Sequence, residues 1–390
     1  MANSTRDLRV DVFRGLALLM IFIDHVPGNA LSSVTLQAMA ICDAAEVFVL
    51  LAGFSSGLAF TAMFQRTSWP AASARVLIRT WDIYVVHIIL FCIVAAVVVS
   101  AARHFNNPLY IEQVNLLPLF ADTEHALVYA LILRYQPNFL DILPLYVVLL
   151  GMVPFFLPLA LRYPSAALAL SAGLYGFVQL SPLNLPNYPG GTGWFFNPFA
   201  WQFLFVIGLV LGSLRHRGWR VGRRVRRPLA IASASLVLAA FVLAAPWRQI
   251  PGLQEVLIPW SWLPPISKTD LSPLRLVNIL ALFCLVAMTV ARDAAWLRTW
   301  PCRILALLGM QSLPVFAVGI VASVVGAVVF FEAGRGLASH VVVHACGVAA
   351  MLAVAWSSAW LKSEPWRKNR PAAQDPAVPV PASARCGGKP

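Results

Sequence analysis

The chain has 390 residues, 59% of them hydrophobic and only 12% charged, with a mean hydropathy of +0.75. Apolar runs this long and numerous exclude a soluble globular domain and define an all-α, polytopic membrane protein, because a helix satisfies its own backbone hydrogen bonds in hydrocarbon. Lysine and arginine number 29 against 16 aspartates and glutamates; the resulting +13 would suit nucleic acid in a soluble protein but is a topology signal in a membrane protein.

Ten transmembrane helices are predicted, at about 10–27, 44–64, 76–101, 139–160, 165–181, 196–214, 228–246, 273–291, 304–331 and 338–361. With the amino terminus inside, 23 of the 29 basic residues fall on the cytoplasmic side, including seven arginines from Arg215 to Arg227. Arg103, Arg134, Arg248, Lys268, Arg275 and Arg335 fall on the other side, so both termini are expected in the cytoplasm and no nucleic-acid partner is needed. Residues 1–362 read as one membrane domain, and 363–390, rich in Pro, Ala and charge without periodicity, as a disordered cytoplasmic tail. No cleavage site follows Asp24 and His25, which interrupt the first apolar run, so that segment is expected to remain as a helix.

The first span carries the most informative pattern. Arg14 and His25 are eleven positions apart, which at roughly 100° per residue brings both to within about 20° of one helix face. The rise of 1.5 Å per residue separates them by about 16 Å along the axis. Ionisable groups at membrane depth are read as functional by default. Packing salt bridges are one reading of this stripe; the other makes His25 a general base, with Asp24 as a charge-stabilising neighbour. Adjacent helical positions diverge by about 100°, so a direct Asp24–His25 pair is not expected.

Span two opens on the carboxylates Asp43 and Glu46, and Glu46 is placed to face His25 from the outer end. Gly53 to Gly57 within it suit close helix packing, and Ser55 lacks the surroundings of a serine nucleophile. In span three Arg75, Arg79 and Asp82 share a face; an ion pair is one reading, and phosphate binding by the two arginines at the cytoplasmic mouth is the other.

The longest outward connection, 102–138, carries Asn106, Asn107, Asp122, Glu124 and His125, and the others, 182–195 and 247–272, are rich in Pro, Asn, Trp and Gly. Asn138 and Asp141, then Asn197, Trp201 and Gln202, then Gln311 stand near aromatic residues. Trp194, Trp201, Trp260 and Trp262 suit an interfacial belt, yet aromatic faces beside amides and carboxylates also suit a sugar. The Arg215–Arg227 connection marks topology and attracts anionic headgroups, with an anionic cofactor as the alternative. Cys42, Cys92, Cys284, Cys302, Cys346 and Cys386 show no spacing that suggests a disulfide or a metal site.

These segments together resemble the OpgC family, within the wider acyltransferase-3 group of transmembrane acyltransferases. The likeness is carried by Arg6 to Leu18, Ile23 to Asn29, the Arg14-x10-His25 spacing, Asn138 to Tyr146, Phe196 to Gln202 and Gly309 to Phe316. It implies a ten-helix enzyme of the bacterial inner membrane that moves an acyl group, succinyl foremost, from cytoplasmic acyl-CoA to hydroxyls of a periplasmic glucan. By that resemblance Arg14 and His25 form the essential pair and Arg75 and Arg79 meet the donor, while the residue-level reading adds Asp24 or Glu46 as the carboxylate that assists His25. The acceptor would meet Asn138, Asp141, Asn197, Trp201, Gln202 and Gln311. Acyl-CoA enters as a co-substrate, with no permanently bound cofactor or metal expected, and membrane lipids and the glucan as the other partners. The alternatives are a saccharide or organic-anion transporter using the same buried charges, or an acyltransferase acting on another cell-envelope polysaccharide.

Overall fold

The computed structural model describes residues 7–244, 266–364 and 366, and among these it is helical throughout, with no strand. Arg6, Arg248, Trp260, Trp262 and nearly all of the expected tail lie outside the described residues. The first helix, α1, runs Leu8–His25, entered through Asp7, whose side chain accepts from the Arg9 amide. A 3-10 turn at Ala30–Val34 and the short α2, Leu36–Met39, lead to α3, Ala44–Arg66. There Asp43 and Glu46 form a reciprocal capping box.

Next comes α4, Trp69–His104, whose 36 residues span about 54 Å, well beyond a hydrocarbon core of about 30 Å. Three short helices follow, α5 at Leu109–Gln113, α6 at Leu117–Ala121 and α7 at Thr123–Leu131. The predicted span 139–160 is two helices, α8 at Ile142–Gly151 and α9 at Val153–Arg162, bent by 50° where Pro154 opens the second. Then come α10, Pro164–Leu180, α11, Pro198–His216, α12, Arg223–Ala244, and α13, Pro273–Thr289. The predicted span 304–331 breaks at Gln311 into α14, Trp300–Met310, and α15, Ser312–Ala333; α16, Leu337–Lys362, closes the described fold.

All ten predicted segments coincide with helices, but six described helices are long and apolar enough to cross a membrane, or seven with the bent pair counted as one. The difference has physical causes. The 18 residues of α1 include Arg9, Asp11, Arg14 and Asp24, while α10 and α13 have 17 residues each.

Two backbone seams organise the bundle. Along α3 and α11, a Cβ at Gly53 or Gly57 would strike the carbonyls of Phe205 or Leu209, and one at Gly208 or Gly212 those of Leu50 or Phe54. Between α1 and α14, a Cβ at Gly15 would strike the Leu305 carbonyl and one at Gly309 that of Asp11. Small residues let backbones touch where lipid offers no hydrophobic drive to association, the packing expected for Gly53–Gly57. Leu18, Phe22, Leu50 and Phe205 fill the core beside these seams.

Candidate active site

At the C-terminal end of α1, Asp24 and His25 line a cavity of about 660 Å³ together with Asn138 and Asp141. The His25 ring is fixed by Nδ1, which donates to the Ile21 carbonyl at 2.5 Å. Because a carbonyl only accepts, the neutral ring carries its proton on Nδ1 and keeps the lone pair on Nε2, the form a general base requires. Phe139 packs edge-on against the ring at 5.1 Å. Asp24 is oriented separately, its Oδ1 accepting from Thr35 Oγ1 at 2.6 Å, so the neighbours serve one cavity through different partners. Asn138 is anchored by its amide, which donates to the Gln113 carbonyl at 2.9 Å, while Asp141 sits at the start of α8.

A second set of groups completes this cavity. Gln37, Asn115, Gln136, Asn187 and Thr192 contribute polar edges, and Trp194, Phe195 and Phe196 contribute aromatic surface. Among the described residues Lys268 is the one lysine or arginine in the lining; its ammonium lies 2.6 Å from Asp43 Oδ2 and 5.5 Å from the Phe196 ring centroid. Sequence reasoning counted Lys268 only as an outward charge. Its signal was a solitary cation in a Ser-Lys-Thr-Asp run just before a predicted span.

Glu46 does not face His25. Its Oε2 accepts from the Asp43 amide at 3.0 Å, and its Oε1 lies 2.5 Å from Arg275 Nε. Arg275 also donates to Asp43 Oδ2 at 3.1 Å, and Asn278 on the next turn of α13 accepts from the Ile41 and Cys42 amides. Glu46 therefore belongs to a buried ionic knot that ties α13 to the start of α3, one face of which, Asp43, reaches the cavity.

Asn197, Trp201 and Gln202 lie beneath the cavity rather than in its lining. Asn197 caps α11 and donates to Leu183 and Asp270; Trp201, wholly buried, donates from its indole to the carbonyls of Lys268 and Thr269; Gln202 bonds Ser171. Asn197 and Trp201 hold the loop that carries Lys268, Gln202 ties α11 to α10, and full burial removes Trp201 from any interfacial belt. Gln311 is at the opposite end of the bundle, where its side-chain oxygen accepts from Lys362 Nζ at 2.6 Å. Arg14 reaches neither cavity end: its Nη2 donates to the Leu51 carbonyl and to Ser55 Oγ at 3.0 and 2.5 Å, bracing α1 against α3.

At the other end of α1 lies a second cavity of about 640 Å³, rimmed by Arg9, Arg215, Arg220, Arg226 and Arg292, with Trp219 beside them. Below the rim it is apolar, lined by Phe13, Met20, Leu51, Phe54 and Phe283, and it extends as far as Leu36 and Val47. Asp7 clasps the rim, 2.8 Å from Arg9 and 2.9 Å from Arg292. Burial alone would raise the Asp7 pKa, but hydrogen bonds and charge from Arg9 and the charge of Arg292 outweigh it and hold the carboxyl below its ordinary 3.8. Arg75 and Arg79 do not contribute to this rim. They lie on the exposed face of α4, where Arg79 pairs loosely with Asp82 at 3.6 Å. Among the described residues no cluster suited to a metal ion occurs.

The two cavities nearly meet. Ala17 and Met20 line one and Ile21 and Asp24 the other, while Val47 lines the first two residues beyond Ala45, which lines the second. In this helical membrane protein an arginine-rimmed apolar pocket thus stands behind a histidine-and-carboxylate chamber. The family profile described as OpgC protein matches residues 6–363, and the chain belongs to that family. Membership supports an acyltransferase of the class that modifies osmoregulated periplasmic glucans. No curated protein and no solved structure matches the chain.

Proposed function

We propose that this protein transfers an acyl group, succinyl foremost, from acyl-CoA to a hydroxyl of a periplasmic glucan. The arginine-rimmed cavity faces the cytoplasm of a bacterial inner membrane, with both termini on that side. The observation that carries the reading is the near-meeting of two unlike cavities along α1. Guanidinium groups suit the phosphates of the donor through charge-assisted, bidentate hydrogen bonds, and the apolar interior suits its pantetheine arm. The donor phosphates are thus assigned to Arg9, Arg215, Arg220, Arg226 and Arg292 in place of Arg75 and Arg79.

On the far side, Asn138 and Asp141 hold the acceptor sugar while His25 Nε2 removes the proton from the attacking hydroxyl. The oxygen bonds to the thioester carbonyl carbon, the carbon–sulfur bond breaks, and the proton passes from the imidazolium to the departing thiolate. Asp24 stabilises the imidazolium in between. Arg14 keeps α1 in register against α3. The experiment is mass spectrometry of periplasmic glucans, with free CoA thiol titrated in parallel, for wild type and His25→Ala at matched membrane insertion. Acylated glucan and released thiol should both vanish in the variant. Wild-type acylation by His25→Ala would sink the mechanism, and solute movement without thiol release would favour a transporter.

A further inference from the structure

Beside the His25 cavity, outside its lining, lies a cluster of aromatic and charged side chains that the transfer chemistry does not use. Tyr129 of α7 and Tyr188 of the 182–197 loop place their ring centroids 4.8 Å apart, and the His125 ring lies 6.2 Å from that of Tyr129. The Arg134 guanidinium sits 4.8 Å from the Tyr129 ring centre. Asp122 joins the group from below, 2.9 Å from His125 Nδ1, and accepts from the Tyr188 hydroxyl at 3.3 Å. The side chains of His125 and Asp122 are 61% and 45% exposed, so the cluster is open at the protein surface. Arg134 Nε has no hydrogen-bond acceptor among the described residues.

Two chain segments carry this patch directly into the cavity. Tyr188 follows Asn187, a lining residue, and Arg134 is two positions from Gln136, another lining residue. The Tyr188 amide donates to the Arg134 carbonyl at 3.0 Å, which locks the segments together. At 3.8 Å between successive Cα atoms the patch begins roughly 4 to 8 Å from the cavity lip, the reach of about one sugar ring. Aromatic faces receive the C–H faces of a pyranose, and carboxylate, imidazole and guanidinium edges receive its hydroxyls.

We propose that Tyr129, Tyr188 and their charged neighbours form an accessory saccharide subsite that holds the units of the glucan chain next to the one entering the cavity. The proposal rests on the glucan-acyltransferase reading above. It makes the protein select a polymer over a free sugar through contacts remote from the reacting hydroxyl. The test measures binding without donor, so it does not depend on acyl transfer: full-length protein in nanodiscs is titrated with glucose and with an unsubstituted β-glucan oligosaccharide of about eight units. Wild type should bind the oligosaccharide more tightly than glucose, and Tyr129→Ala with Tyr188→Ala should weaken oligosaccharide binding about tenfold while leaving glucose unchanged. Tyr188→Phe, which keeps the ring, should stay within about twofold. If the double variant is poorly folded, Arg134→Met with His125→Ala gives the same reading from the charged edges. Equal affinity of wild type for glucose and oligosaccharide, or undiminished oligosaccharide binding by folded variants, overturns the subsite. Either result leaves the His25 mechanism to be judged by the glucan mass spectra.

Discussion

Replacing Arg275 with leucine tests the ionic knot that anchors the start of α3 beside the cavity. Arg275 bridges two carboxylates, Glu46 at 2.5 Å and Asp43 at 3.1 Å, with the three side chains 11%, 0% and 8% exposed. After Arg275→Leu, Asp43 retains Lys268 at 2.6 Å, so its charge stays matched. Glu46 keeps only the Asp43 amide and is left buried beside a like charge. Removing one partner of a buried ion pair costs about 3–5 kcal/mol. Because Lys268 protects one of the two carboxylates, the lower part of that range, about 3 kcal/mol, is expected. Glu46→Gln preserves the capping acceptor and removes the orphaned charge, so the Arg275→Leu/Glu46→Gln double variant should recover about 2 kcal/mol. Reversible unfolding in bicelles by steric trapping reads both values. A loss below about 1 kcal/mol for the single variant, or no recovery in the double, would refute the reasoning.

Gly212→Leu should lower folded yield sharply, because the added side chain meets the Phe54 carbonyl across the α3–α11 seam; a cost above about 3 kcal/mol is expected. Gly176→Leu on α10, where nothing lies within 4 Å, is the control and should insert normally, as size-exclusion chromatography of fluorescent fusions will show. Arg215→Gln and Arg292→Gln should each raise KM for acyl-CoA about five- to tenfold with little change in kcat, an effect that shrinks at high salt; unchanged KM would remove the rim from donor binding. The depressed pKa of Asp7 gives a pH signature with a defined sign. Its stabilising clasp is fully present above 3.8, the carboxyl's ordinary value, and is lost as pH falls through the lower value in the folded protein. The difference in Tm between wild type and Asp7→Asn should therefore be constant at neutral pH and close only below 3.8.

Helix positions were legible because membrane spans announce themselves by unbroken apolarity, and Asp24, His25, Asn138 and Asp141, which the structure brings around one cavity, stood out as polar groups at the ends of such runs. The same contrast misled at Asn197, Trp201 and Gln202. A residue that caps a helix or hydrogen-bonds a neighbouring loop carries the same donors and acceptors as one that holds a ligand, and only packing tells them apart. Glu46 was misplaced for a related reason: its spacing from Asp43 is that of a capping box, a local function that uses one oxygen and leaves the other to Arg275. Gln311 marks a helix break, which periodicity blurred into one span. The arginine rim was legible only in part: the 215–227 connection stood as an alternative anion site, but Arg9 and Arg292 come from two other stretches of chain, each ordinary as a topology signal. Arg75 and Arg79, adjacent in sequence, looked more like a site and face outward.

The glycine seams have a mechanical consequence. Where carbonyl oxygens of one helix fill the space of missing side chains on another, neither partner can rotate or slide without collision, so α1 is bolted to α14 and α3 to α11. A solute carrier needs two bodies that rock about a central site, whereas α1 and α3, each held in one of these joints, line both chambers. A fixed bulkhead suits the proposed transfer, in which two reactants meet at adjoining chambers, better than it suits a rocking carrier. Under the proposed transfer, neither the acyl donor nor the glucan would need to cross the bilayer.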